Sequence, residues 1–538
     1  MGSSFTQHNL YRLGDSTVAE PLINSWAVWS DLIAPAPYSQ HLVNYQIKNM
    51  SSYLANPEMH VKAYRNPKLI GGPFIGVPVE RAKEVEDLLA RTVSAQRDNI
   101  QFANALTGFY EFLIKEARGQ SLEPYYEKLP EELRGYVELN YDYYGHPIVR
   151  PIEGLLYQSP YYKQSLQSLR LFAQTRDDAR PFFVNTPRLP ENDQIDWAMP
   201  FRSPRLDEFF DLEFRPKSLD QICENLGLDA DRQERLLPLL VEGPARTYQK
   251  WEGEGVRVRY FGHACALIEW KGVSILTDPF IGVTPREPGI DRFSYKDLPE
   301  KIDFVLITHT HHDHFVPETL LRIRRRVGCL VAPKTTGLFY ADTSLKLMAQ
   351  QLGFSRVIEL DAMESIPVPY GEIIAVPFMG EHADLPHGKS GYVVRAGREQ
   401  ILFAADSNCL DRRMYEHLRR SLGPIETVFL GMECVGAPLS WLYGALLSHK
   451  LPHAYDQSRR TKGCDAKAAL ELLEAVGGKR VCIYAMGCEP WLQFAMGLGP
   501  AEDSVQIREA NKALAAARER GFAVAHRPFG SFELHLGC

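Results

Sequence analysis

No apolar run in these 538 residues approaches the roughly 18 that a helix needs to span a bilayer, which argues against a membrane protein. No Cys-x-x-Cys pair occurs either. The nine cysteines (Cys223, Cys265, Cys329, Cys409, Cys434, Cys464, Cys482, Cys488 and Cys538) stand apart and are odd in number. That excludes a zinc ribbon or disulfide framework and fits reduced thiols in a cytoplasm. The N-terminus, Met1-Gly2-Ser3-Ser4-Phe5-Thr6-Gln7-His8, lacks a basic stretch followed by an apolar one, so no secretion signal is expected and a cytoplasmic location is. Charge of one sign is scarce too: a net −7 is mild for this length and argues against a nucleic-acid binder. No flavin, haem or iron–sulfur motif, internal repeat or low-complexity segment is present. The remaining composition, 45% hydrophobic and 24% charged, is that of a globular chain of two or three domains.

What is present is a concentration of histidine. Only 16 histidines occur, yet Thr308-His309-Thr310-His311-His312-Asp313-His314 packs four potential metal ligands, His309, His311, Asp313 and His314, into six residues. The string follows Asp303-Phe304-Val305-Leu306-Ile307, which reads as a buried strand, and precedes Pro317-Glu318-Thr319-Leu320-Leu321, which reads as a first helical turn. A loop of this kind at a strand's C-terminal end directs two imidazoles at one cation, while Asp313 and His314 reach a second.

The string resembles the signature of the metallo-β-lactamase fold. That resemblance implies a carboxylate at Asp278, which ends the strand Gly272 to Thr277, orienting the metal ligands from behind, and a metal-bridging carboxylate at Asp406, which ends Gln400-Ile401-Leu402-Phe403-Ala404-Ala405. Between them, Ile373 to Phe378 leads into Met379-Gly380-Glu381-His382. Zinc hydrolases of the fold use a His here, which points to His382; a small subgroup uses a Glu, which points to Glu381. Neighbouring residues leaving a strand face opposite ways, so one of the two is expected to reach the metal. The late segment Ala485-Met486-Gly487-Cys488-Glu489 holds no His where many hydrolases carry their last ligand. Carboxylate in place of imidazole moves a site from zinc towards iron.

Taken together, these segments, with Pro438 to Tyr443 and Tyr484 to Trp491, resemble the dinuclear-iron β-hydroxylases of nonribosomal peptide and antibiotic assembly lines. The resemblance implies a non-haem diiron monooxygenase with two oxo- or hydroxo-bridged irons, O2 as co-substrate and an external electron donor. It implies His309, His311 and Glu381 on one iron, Asp313 and His314 on the other, and Asp406 bridging, with Glu381 and Asp406 the catalytic carboxylates. It also implies hydroxylation at Cβ of an aminoacyl group tethered as a thioester to a peptidyl carrier protein. The alternative is a dinuclear zinc hydrolase with His382 as ligand. A flavodiiron reductase is disfavoured because His311 stands where such proteins carry a Glu, and a non-catalytic scaffold because the ligand set is intact.

The expected fold is α/β: an αββα sandwich over 246–538, preceded by a separate mixed α+β domain over 1–245. In the latter, Glu80 to Arg118 reads as one long helix or two in series. A tyrosine-rich stretch (Tyr125, Tyr126, Tyr136, Tyr141, Tyr143, Tyr144, Tyr157, Tyr161 and Tyr162) suits a homodimer interface, a partner-docking surface, or an ordinary core and rim. Arg180 to Arg215 reads as an extended arm or linker, Ser218 to Val241 as a short helix, and Pro438 to Lys462 as an insertion over the site. Arg322, Arg324, Arg325 and Arg326 are candidates for a carrier-docking face, a solvated helix side being the plainer reading.

Overall fold

Near-continuous apolar strands such as Thr427-Val428-Phe429-Leu430-Gly431 are buried throughout, the mark of parallel strands covered on both faces. In the computed structural model they belong to two seven-stranded sheets. The structure describes residues 9–537 except 67, 68, 70, 229, 249, 288, 381–387, 448, 449 and 498, and excepting also the side chains of 230–232 and 442.

The first sheet runs in the order Val357–Leu360, Val327–Pro333, Ile302–Leu306, Val273–Thr277, Cys265–Trp270, Val256–Gly262, Glu533–Leu536. The second runs Ser365–Val368, Gly371–Val376, Gly391–Ala396, Glu399–Phe403, Thr427–Gly431, Arg480–Tyr484, Val524–His526. In each, antiparallel pairs give way to parallel ones, beginning at Val273–Thr277 beside Ile302–Leu306 and at Glu399–Phe403 beside Thr427–Gly431. Parallel strands put their C-terminal ends, and the loops that follow, on one rim. Tyr260, Phe403, Phe429 and Tyr484 fill the space between the sheets. The helices Arg412–Leu422, Ala466–Val476 and Val505–Glu519 cover the outside of the second. This is the expected sandwich.

The outside of the first sheet is covered by the helices Pro317–Ile323 and Leu345–Gln351, and these are covered in turn by the N-terminal domain. That domain is built on the sheet Trp26–Ala27, Thr17–Ile23, Gln167–Ala173, Ile195–Ala198. One apolar cluster runs from its Val18, Leu171 and Phe210 to Leu276, Leu320 and Met348 without interruption. No helix among the described residues is long and apolar enough to cross a membrane.

Several local expectations are resolved or corrected. Glu80 to Arg118 is two helices in series, Ala82–Ala95 and Arg97–Glu116, interrupted at Gln96, whose buried amide oxygen accepts from Tyr38 Oη at 2.5 Å. Ser218 to Val241 holds two short helices, Leu219–Leu226 and Ala230–Leu236, separated by the left-handed Gly227. The arm is extended only to Ser203 and ends in the helix Pro204–Phe210. It lies tightly bound, since Arg180 and Arg188 both grip the buried Glu20. Of the tyrosines, Tyr125, Tyr157 and Tyr161 are core, while Tyr143 and Tyr144 are fully exposed.

The arginine cluster is neither a docking face nor a solvated helix side. Arg322 and Arg324 are buried against the N-terminal domain. Arg322 donates to Thr17 O and to Glu213, and Arg324 to Asp207 and Ser203 O. Arg326 lies 3.5 Å from Glu213, leaving only Arg325 half-exposed. Guanidinium planes with fixed forked donors suit such a seam, where unpaired carbonyls and carboxylates of another domain must be met.

Candidate metal centre

Four non-glycine residues with positive φ gather on the sandwich rim: His263 (48°), Asp278 (29°), Ala405 (46°) and Ala485 (53°). Each follows a strand by one or two residues, where the chain turns sharply to aim a side chain across the rim. Strain of about 1–3 kcal/mol per residue is typical of functional sites. Ala405 turns Asp406 inward, and the neighbouring Gly431 makes room for it: a Cβ there would come within 2.6 Å of Asp406 Oδ1.

Asp278 is completely buried and anchors the His-rich loop. Its Oδ1 accepts the Thr308 backbone N–H at 2.7 Å, and its Oδ2 accepts Thr308 Oγ1–H at 2.6 Å and His314 Nδ1–H at 2.8 Å. Because the Thr308 hydroxyl spends its only proton on Asp278, it must accept from His309 Nδ1, 2.9 Å away. One carboxylate therefore fixes the Nδ1 protons of both His309 and His314 and aims each Nε2 at the centre, where it can meet a proton or a metal ion. Those atoms face Asp406 Oδ2 at 3.6 Å and 2.9 Å respectively.

Asp313 lies on the other side of His314, its Oδ2 3.8 Å from His314 Nε2 and 3.0 Å from His263 Nε2. Two overlapping trios result, His309/His314/Asp406 and His263/Asp313/His314, with the potential ligand atoms of each within 4.8 Å of one another. Burial works against the charged form of His314, yet Asp406, Asp313 and Asp278 prevail and hold its pKa well above the usual range. Burial likewise opposes the Asp313 anion, but the surrounding imidazoles of His314, His312 and His263 hold its carboxyl well below its usual range.

His311 stands beside His309, ring centroids 4.6 Å apart, and its Nε2 lies 2.8 Å from Tyr443 Oη. His312 turns away from the cluster into a nest of Trp29, Phe183 and Trp441, and its Nε2 donates to Ala495 O at 3.2 Å. Glu381 and His382 lie outside the described residues. The structure thus brings together His309, Asp313, His314 and Asp406, with Asp278 behind them and His311 alongside.

Sequence reasoning passed over four contributors. His263 and Thr308 are in the site itself, Tyr443 reaches it from the insertion, and Glu489 supports it by accepting the His263 backbone N–H and the Tyr260 hydroxyl. The only signal for His263 was its place in the turn after a strand, Phe261-Gly262-His263-Ala264. The N-terminal domain contributes as well: Ser30 Oγ donates to Thr310 O, inside the His-rich loop, at 2.5 Å.

Imidazole lone pairs facing carboxylate oxygens in a buried space repel unless a cation or proton lies between them. A mixed set of imidazole and carboxylate donors with room for small ligands suits iron as well as zinc. The residues present therefore fit a pair of divalent metal ions.

Comparison with known proteins extends over the whole chain. Residues 12–244 match the family described as the diiron non-heme β-hydroxylase N-terminal domain, and residues 274–484 match the β-lactamase superfamily domain. The 4-amino-L-phenylalanyl-[CmlP-peptidyl-carrier-protein] 3-hydroxylase of Streptomyces venezuelae is 35% identical over 524 residues, which cover 95% of this chain and 97% of that protein. The crystal structure of CmlA, a diiron β-hydroxylase from Streptomyces venezuelae, superimposes with a TM-score of 0.91 at 34% identity, covering 98% of this chain and 100% of the other. A UPF0173 metal-dependent hydrolase of Opitutus terrae is 28% identical over 160 residues, which cover 28% of this chain and 63% of its own.

Proposed function

The chain belongs to the diiron non-haem β-hydroxylase family, and from that premise we propose that it hydroxylates Cβ of an aminoacyl group carried as a thioester on a peptidyl carrier protein. The observation that carries this reading is the end-to-end match: likeness to the β-hydroxylase spans 95% of the chain, while likeness to the hydrolase spans 28%.

In this reading His309, His311 and Glu381 hold one iron, Asp313 and His314 the other, and Asp406 lies between. Iron bound there supplies the activation of dioxygen that breaks the C–H bond, with electrons from an external donor. The protein's own part is placement. Asp278 and Thr308 hold two imidazoles in the metal-binding tautomer, and Tyr443 fixes the ring plane of His311. His263 holds Asp313. The roof segment, through Tyr443, and the N-terminal domain, through Ser30, both reach the His-rich loop. Residues 1–245 and 246–538 are read as the two domains, and a homodimer through the first is part of the proposal; sedimentation at a monomer's mass removes that part.

The test is metal analysis with Mössbauer spectroscopy on the wild type, Glu381→Ala and His382→Ala. About two irons per chain, with a coupled diiron spectrum disturbed at Glu381 and not at His382, is the expected result. Two zincs lost only at His382→Ala would make the protein a hydrolase.

A further inference from the structure

The two domains leave a cavity of about 290 Å³ on their seam. Glu153 of the N-terminal domain lies on one wall, and Asp342, Thr343 and Glu359 of the catalytic domain lie on the other. None of the lining residues belongs to the histidine clusters of the metal centre. Three carboxylates thus share a small space with one basic lining residue, Arg150. That guanidinium is already engaged by Glu138 at 2.9 Å and by Gly337 O at 3.1 Å. Lys346, outside the lining, meets Glu359 at 3.4 Å.

The oxygens of this lining are not equally satisfied. Asp342 Oδ2 accepts the backbone N–H groups of Thr336 and Gly337, at 3.1 and 2.9 Å, and the Thr336 hydroxyl, which together fix the carboxylate in place. Its Oδ1 has no hydrogen-bond partner among the described residues, and neither has Thr343 Oγ1. Both residues are buried, 2% and 3% exposed, where an unmet oxygen is costly. Glu153 and Glu359 converge on Ser344: Glu153 Oε2 accepts its N–H at 2.9 Å, and Glu359 Oε1 lies 3.5 Å from its Oγ. Burial, reinforced by the charges of Asp342 and Glu359, raises the Glu153 pKa to about 7 although the Ser344 N–H and the Tyr157 hydroxyl oppose this. The cavity is short of positive charge.

We propose that this cavity binds a hard divalent cation of the calcium type, held by Asp342 Oδ1, Thr343 Oγ1 and the carboxylates of Glu153 and Glu359. All four donors are oxygens, without imidazole or thiolate, the set that suits calcium or magnesium rather than iron or zinc. Calcium takes about 6–8 oxygens in irregular geometry, and the cavity has room for waters, at about 30 Å³ each, to complete the shell. The cation clips the two domains together, since Glu153 comes from one and the other ligands from the other. It also steadies the loop that carries Tyr340, whose hydroxyl donates to Leu446 O in the roof segment. The site does not depend on the reaction proposed above.

The experiment is calorimetric titration of the iron-loaded protein, dialysed free of other cations, with calcium chloride. It is repeated on Asp342→Asn and Glu153→Gln, and on Glu138→Gln, which removes an acid beside Arg150 but outside the cavity. Iron content and circular dichroism verify that each variant is folded. Terbium, a calcium substitute, gives a second reading: Tyr157 Oη lies 3.1 Å from Glu153 Oε1, so exciting tyrosine should sensitise terbium luminescence. The expected outcome is about one calcium per chain, bound about tenfold or more weakly in Asp342→Asn and Glu153→Gln and unchanged in Glu138→Gln. The wild-type melting temperature should rise with calcium. No saturable binding by the wild type, or equal binding by the folded Asp342→Asn and Glu153→Gln variants, overturns the proposal. Calcium that displaces iron instead of adding to it places the binding at the metal centre and overturns it as well.

Discussion

Replacing Asp278 by Asn tests the relay that prepares both imidazoles. The substitution is nearly isosteric, so the fully buried side chain keeps its space. What changes is the hydrogen-bond logic. Oδ2 accepts both the Thr308 hydroxyl and His314 Nδ1–H. An amide NH2 there opposes donor to donor, and turning the amide over moves the conflict to the Thr308 backbone N–H at Oδ1. Relief comes when His314 carries its proton on Nε2, the atom proposed to bind metal. Losing one hydrogen bond to a charged group costs about 1.5–3 kcal/mol, which converts to roughly 10- to 150-fold in metal affinity, in line with the ~10–100-fold usual for groups behind a metal ligand. The assay is chelator competition for iron, with Thr308→Val as a companion that cuts only the branch to His309. Expected is a loss of one to two orders of magnitude for Asp278→Asn and a smaller loss for Thr308→Val. An Asp278→Asn protein that holds two irons with wild-type affinity refutes the relay.

Three further predictions are independent of it. His263→Ala, which frees Asp313, is expected to lower iron content towards one per chain, with His263→Gln restoring part of it; equal iron in wild type and His263→Ala would count against the role. Glu153 joins the domains by accepting the Ser344 N–H at 2.9 Å, and burial raises its pKa from 4.5 to about 7. Because the folded value is the higher one, its contribution to stability is full below about pH 4.5 and lost as pH rises through 7. Urea midpoints should fall over that window in the wild type and less in Glu153→Gln, and parallel pH profiles would contradict this. Arg188→Leu removes one of the two guanidiniums that hold buried Glu20 at a pKa of about 2 against its burial, and about 3–5 kcal/mol of unfolding free energy should be lost; a change below 1 kcal/mol in urea denaturation would show that Arg180 alone suffices.

The parts of the site legible in the sequence were those whose signal is local. A strand followed at once by His309 to His314 declares both its position and its chemistry, and the strands Thr427–Gly431 and Arg480–Tyr484 declare themselves by apolar runs between turns. Glu80 to Arg118 was half legible, since periodicity left one long helix or two in series open and did not place the break at Gln96. What could not be read were pairings made at a distance. Asp313 finds His263 fifty residues away, and Tyr443 finds His311 from an insertion. The arginines after the loop misled because four cations in five residues suggest solvent. Their partners Asp207 and Glu213 lie over a hundred residues upstream, and only the folded seam shows that the charge is neutralised in place.

That seam limits how the enzyme can be taken apart. The two halves share one continuous apolar cluster, and Ser30 reaches into the histidine loop itself. Modularity, which would let the catalytic half be grafted onto another leader or expressed alone, is absent at this joint. A fragment starting at 246 should aggregate, and a chimera should fold only when both sides of the joint come from the same parent. New variants are therefore better sought by changing residues within either half than by exchanging domains.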